Sequence, residues 1–278
     1  IRKLMIEVGG ATAFIRDVMV PHAKAYHLVL TAGDAENPLR ADTKSLLIQL
    51  HRLSGEFWVP AAMLAVTKAL EDPNAGHRAL VEIDRLVHVF RLLSVGGKRR
   101  SARISAICAA LRNGEGFDNP QHSAFEIKRE QLRVVSHHLR DLHGRNQQTC
   151  KLVLMRLNDE LSGKVAAYPP ADFSVEHVLP QRPKPTSKWR DDFPDAEHRD
   201  ACTKSLGNLV LVTPAQNNRA KNEELADKQK VYATPENGRE LPKISEAAIE
   251  TQNWAPETIE KREAELLAMV ARLWRIEV

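Results

Sequence analysis

The chain has 278 residues, 43% of them hydrophobic, with 40 Lys and Arg against 36 Asp and Glu for a formal net charge of +4. That length is enough for two domains with cores of their own, and that hydrophobic content excludes a disordered chain. No apolar run approaches the ~20 residues of a membrane-spanning helix, and no signal-peptide pattern opens the chain, so it reads as soluble and cytoplasmic.

From residue 1 to about residue 163 the pattern is helical. Apolar residues recur at three- and four-residue spacing over 44–53, 60–70, 77–93, 101–111 and 130–142. Asp72-Pro73-Asn74-Ala75-Gly76, Gly96-Gly97 and Asn113-Gly114-Glu115-Gly116 punctuate them. No repeat period is evident, which predicts an irregular helical bundle over 1–163 and not a solenoid. His88, His137 and His138 read as ordinary helix residues. Cys108, Cys150 and Cys202 lie far apart with no Cys-x-x-Cys spacing, so they read as reduced thiols and no zinc knuckle is expected.

The charge is unevenly spread. Between Lys98 and Arg156 there are 12 Lys and Arg against 5 Asp and Glu, a local +7 that leaves −3 for the rest. The sharpest point is Lys98-Arg99-Arg100, read as a basic loop between two helices, and such asymmetry often accompanies nucleic-acid contact.

Residues 164–278 form the second predicted domain, introduced by Pro169-Pro170. Two short strands, 173–178 and 209–213, flank a polar loop rich in Pro, Lys and Asp, and a helix follows over 214–222. After Thr234-Pro235-Glu236-Asn237-Gly238, a long helix over 256–275 presents Ile259, Leu266, Val270, Leu273 and Trp274 on one apolar face. It is expected to pack back on the helical domain, because two short strands and a helix bury little surface alone.

The densest chemistry lies between residues 173 and 222. Val175-Glu176-His177-Val178-Leu179-Pro180-Gln181 is followed by Leu206-Gly207-Asn208-Leu209 and then by Gln216-Asn217-Asn218-Arg219. Hydrolysing a phosphodiester needs a base to activate water and a cation to neutralise charge on the phosphate. Histidine suits the base, since its ordinary pKa of about 6.5 leaves it largely neutral near pH 7. A carboxylate and an amide oxygen suit a hard divalent ion. Singly, each residue has a plainer reading: a solvated strand end for Glu176-His177, a turn for Gly207-Asn208, a helix cap for Asn217. Their ordered set is what carries the chemistry.

That set resembles an HNH nuclease motif of the ββα-metal type, and specifically the C-terminal domain of GmrSD-type, type IV restriction endonucleases. Trp189, Asn222, Lys228 and Tyr232 also match, as does a closing pattern of Trp254, Pro256, Ile259, Arg262, Leu266 and Trp274. The resemblance implies a mainly α protein, a helical bundle followed by a ββα-metal module and a long C-terminal helix. It implies that His177 is the general base, that Asn208 orients its ring, and that Glu176 and Asn217 hold Mg2+ or Mn2+. Arg182, Lys184, Arg219, Lys221 and Lys228 are the expected DNA contacts, together with Lys98, Arg99 and Arg100. The implied activity is a metal-dependent nickase acting on modified or foreign DNA in restriction and antiviral defence.

The chain opens with Ile1-Arg2-Lys3 and reads as a fragment. The resemblance implies an N-terminal nucleotide-hydrolysing domain elsewhere in the natural protein, and no Gly-x-x-x-x-Gly-Lys-Ser/Thr phosphate loop occurs within this chain. Two alternatives stand beside the nickase. One is a non-catalytic DNA-binding or protein-interaction module with a structural HNH remnant. The other is an HNH enzyme acting on RNA or single strands.

Overall fold

Helical periodicity broken by Gly, Pro and Asx residues becomes sixteen α-helices and one two-stranded sheet among the described residues of a computed structural model, which describes all residues except 118, 120, 121, 166, 167, 237–239, 277 and 278. Asn237 and Gly238, read from the sequence as part of a turn, lie outside the described residues. The chain divides into two compact units, Ile1–Lys128 and Arg129–Val278.

The first unit holds α1 (Arg2–Glu7), α2 (Ala11–Phe14), a π-helical turn (Ile15–Met19), α3 (Val20–Leu30), α4 (Ala41–His51), α5 (Val59–Glu71), α6 (Pro73–Leu92) and α7 (Gly97–Arg112). Its centre is the α5–α6 pair, where small residues set the spacing. A Cβ at Gly76 would stand 2.4 Å from the Ala69 nitrogen and 2.5 Å from the Ala65 oxygen, so only glycine permits that approach. The segment read as punctuation around Asp72 is the start of α6. Asp72 accepts from the Asn74 and Ala75 amides, and Pro73 opens the first turn, where its missing N–H costs nothing. Lys98, Arg99 and Arg100 likewise lie in the first turn of α7 and not in a loop.

The second unit contains α8 (Arg129–Leu139), α9 (Leu142–Arg145), α10 (Gln147–Ser162), β1 (Ser174–His177), α11 (Lys188–Asp192), α12 (Ala196–Lys204), β2 (Leu209–Val212), α13 (Pro214–Ala220), α14 (Leu225–Ala233), α15 (Lys243–Glu250) and α16 (Pro256–Trp274). The division falls after Lys128, earlier than the residue 163 suggested by the helical pattern, because α10 packs on β1, β2, α15 and α16. The polar stretch between the strands is not only loop. It holds α11 and α12, whose Trp189, Phe193 and Cys202 join Val178, Val210, Val212, Tyr232, Trp254 and Ile259 in one core.

The sheet is antiparallel, with Ser174 opposite Val212, Val175 opposite Leu211, Glu176 opposite Val210 and His177 opposite Leu209. All four residues of β2 are buried, as its unbroken Leu-Val-Leu-Val run requires. The C-terminal helix α16 buries Ile259, Leu266, Val270 and Trp274, with Leu273 only partly covered, and packs on α10, α12 and the short turn Leu206–Asn208.

Candidate active site

Side chains alternate across a strand, so Glu176 and His177 point to opposite faces of β1. Glu176 points inward and is 5% exposed. Its Oε1 accepts from Lys228 Nζ at 2.5 Å and from the Tyr232 hydroxyl at 3.2 Å. Lys228 Nζ also donates to the His177 carbonyl oxygen at 2.6 Å. Burial pushes the Glu176 carboxyl up and the Lys228 ammonium down, each against the attraction of the other.

His177 faces the other way and is half-buried. Its ring meets that of His143, on α9, edge to face with centroids 4.6 Å apart. The Gln181 carboxamide nitrogen lies 3.3 Å from His177 Nε2. Burial, reinforced by the neighbouring His143 and by the Lys228 charge, pushes the His177 pKa down to about 3. The ring is therefore neutral at physiological pH, with a lone pair able to take a proton.

Asn208 does not touch that ring. It is fully buried, and it grips the backbone two residues beyond His177. Its Oδ1 accepts from the Leu179 amide at 2.7 Å and from the Trp254 indole at 3.0 Å, and its Nδ2 donates to Leu179 O at 2.9 Å and Thr203 O at 3.2 Å. Its own carbonyl accepts from the Val178 amide at 3.1 Å, extending the ladder one step past β1. Ring orientation by Asn208 is thus replaced by backbone anchoring, because the Asn208 side chain is on the buried side of the strand end. The preceding Gly207 has a separate reason to be glycine. A Cβ there would stand 2.1 Å from the Ile259 carbonyl oxygen of α16. Arg262 completes the clamp, donating to the Gly207 carbonyl at 2.5 Å and to Ile244 O at 2.7 Å. Burial lowers its pKa to about 10.

Asn217 lies on α13, which starts with a Thr213–Gln216 capping box. Its Nδ2 donates to Ser174 Oγ at 2.6 Å and Val175 O at 2.9 Å, tying the helix to the opposite end of β1 from His177. The two expected metal ligands do not fit a divalent ion as a set. The Glu176 carboxylate already holds an ammonium at 2.5 Å, where a second cation would meet direct repulsion, and its surroundings are closed to water and phosphate. Among the described residues no group of three or more His, Cys, Asp or Glu is arranged to hold a metal ion.

The expected DNA contacts divide by exposure. Arg182 and Lys221 are exposed; Lys184 is exposed and paired with Glu223 at 3.2 Å, and Arg219 with Glu236 at 2.5 Å. Lys228 is 0% exposed and cannot reach a phosphate, since its ammonium is spent inside the fold. In the first unit, Lys98 and Arg99 are exposed, while Arg100 stacks over the Phe57 ring at 4.7 Å.

A family model described as the C-terminal domain of GmrSD restriction endonucleases matches residues 125–269, just over half of the chain. The chain belongs to this family. Its members are restriction endonucleases, which makes this GmrSD-type domain part of a nuclease effector with DNA as substrate. No curated protein and no solved structure matches the chain. The matched span covers both strands, Asn208, Asn217, Lys228 and the Trp254–Arg262 clamp. It also covers His143 and Gln181, the two ring neighbours of His177 that sequence spacing does not reveal. The one local signal near His143 is Asp141, whose carboxylate accepts from the Gly144 amide at 3.2 Å and starts α9.

Proposed function

We propose that this GmrSD-type domain hydrolyses DNA phosphodiester bonds, with His177 as the general base. The observation that supports the reading is the neutral, half-buried His177 imidazole at the end of β1, held from behind by Asn208 and Lys228 within the family-matched span. In this reading His177 takes a proton from water, the resulting hydroxide attacks phosphorus, and the sugar oxygen departs opposite it, taking its proton from solvent water. A bound phosphate raises the basicity of His177, since negative charge favours imidazolium. Exposed Arg182 and Lys221 hold the flanking backbone.

One His177 per chain acts on one strand at a time, so nicking is the expected product. A divalent ion would neutralise charge on the phosphate, but no step is routed through Glu176. An N-terminal nucleotide-hydrolysing partner domain, recognising modified or foreign DNA, belongs to the same reading.

The test is supercoiled plasmid incubated with the chain in Mg2+, in Mn2+ and in chelator. Wild type should relax plasmid, and His177→Ala should lose about 100- to 10,000-fold in rate while DNA affinity stays within a few-fold. Relaxation by the variant at wild-type speed overturns the assignment. The sealed carboxylate of Glu176 favours one second reading, a non-catalytic DNA-binding module. That module would bind DNA with a steep salt dependence and leave plasmid intact under every metal condition.

A further inference from the structure

Lys228 and Tyr232 are four residues apart on α14, so they share one helix face, and both donate to the same oxygen of Glu176. The second partner of the Lys228 ammonium is the carbonyl of His177, the next residue along β1. One fully buried cation therefore grips β1 twice, by a side chain on its inner face and by the backbone of the residue whose side chain faces outward.

We propose that Glu176, Lys228 and Tyr232 form a positioning latch for His177, and that Glu176 acts as its anion and not as a metal ligand. Asn208 and Asn217 hold the backbone at the two ends of this four-residue strand, and a slip of one residue would turn His177 inward and Glu176 outward. Apolar side chains on that inner face would tolerate the slip. A buried carboxylate with an ammonium waiting for it does not, because the slip carries Glu176 outward and leaves the Lys228 ammonium buried without its anion. The latch also explains Lys228 and Tyr232, 51 and more residues beyond the strand, which a metal role for Glu176 leaves without a purpose.

The proposal rests on His177 being the base, and His177→Ala is the arm that tests that reading separately. The latch is tested on the full 278-residue chain with Glu176→Gln, Lys228→Met, the double variant and Tyr232→Phe, each followed by thermal melting and by plasmid nicking as kcat, KM and Mg2+ midpoint. Lys228→Met and Glu176→Gln, each leaving one charge buried alone, should melt well below wild type and lose more than about 100-fold in kcat. The double variant, neutral on both sides, should recover most of the melting temperature and return kcat to within about tenfold of wild type, a rescue that a lost ligand cannot give. Tyr232→Phe removes one hydrogen bond at constant shape, and should lower kcat about three- to tenfold with KM and the Mg2+ midpoint unmoved. Nicking that proceeds in chelator also supports the latch. A double variant that folds like wild type yet stays more than about 100-fold impaired, or a Tyr232→Phe enzyme with a raised Mg2+ midpoint, overturns it.

Discussion

The carboxamide oxygen of Asn208 accepts from the indole nitrogen of Trp254 at 3.0 Å, joining the turn before β2 to the residue that leads into α16. The same oxygen accepts from the Leu179 amide, so one atom links the end of β1 to the C-terminal clamp. Asn208→Ala empties four hydrogen bonds at a fully buried position and should cost about 3 kcal/mol or more. Trp254→Phe removes only one of them and should cost about 1 kcal/mol from that bond, besides any repacking. Urea unfolding of both variants checks the order, and equal costs would mean that the Asn208 bonds to Leu179 and Thr203 contribute nothing.

Gly207→Ala should be among the most disruptive single changes in the second unit. The added methyl carbon would sit 2.1 Å from the Ile259 carbonyl oxygen and 2.9 Å from the Glu263 nitrogen, both backbone atoms of α16 that cannot rotate away. Gly33→Ala meets nothing within 4 Å and should stay within about 0.5 kcal/mol of wild type. Melting curves of the pair separate a close approach from a general intolerance of alanine.

Acid should destabilise the protein through His177. Its pKa falls from 6.5 to about 3 on folding, so the unfolded chain binds a proton that the folded chain refuses. Stability present above pH 6.5 is then lost progressively as pH drops towards 3. Burial lowers His143 as well, with the same sign. Melting temperatures between pH 7 and pH 4 should fall less steeply for His177→Gln and His143→Gln than for wild type; parallel curves would show that neither ring stays neutral by burial.

DNA affinity should depend on salt through the exposed cations. Removing Arg182 and Lys221 together should lower the slope of log affinity against log salt by about one for each lost phosphate contact. Lys204→Ala should leave it unchanged, because that ammonium is held by Asp200 at 2.5 Å. Titrations at several salt concentrations decide, and a double variant with the wild-type slope would remove Arg182 and Lys221 from the interface.

Much of the helical layout was readable because it is local. The apolar spacing over 60–70 and 77–93 marks α5 and α6 to within a few residues, and the Pro256 start of α16 follows from its helix-opening proline. His177, Glu176 and Asn208 were legible as a group from spacing and residue type. Their partners were not. His143 meets His177 across 34 positions of sequence, and Lys228 meets Glu176 across 52, distances at which no periodicity operates. The functional reading of Glu176 depended on which face of a four-residue strand would be covered. That was decided by α14, a helix with no reading of its own in the sequence.

The clamp on Gly207 has a consequence for biosynthesis. Arg262, Ile259 and Trp254, which hold the turn carrying Asn208, emerge from the ribosome some 50 residues after it. A nascent or truncated chain ending before Trp254 therefore has His177 but lacks the grip that fixes the segment following it. The segment that follows His177 cannot settle until residues some 50 positions beyond Asn208 have been made, so its ordering follows synthesis of Trp254 and Arg262 and does not accompany that of the strand.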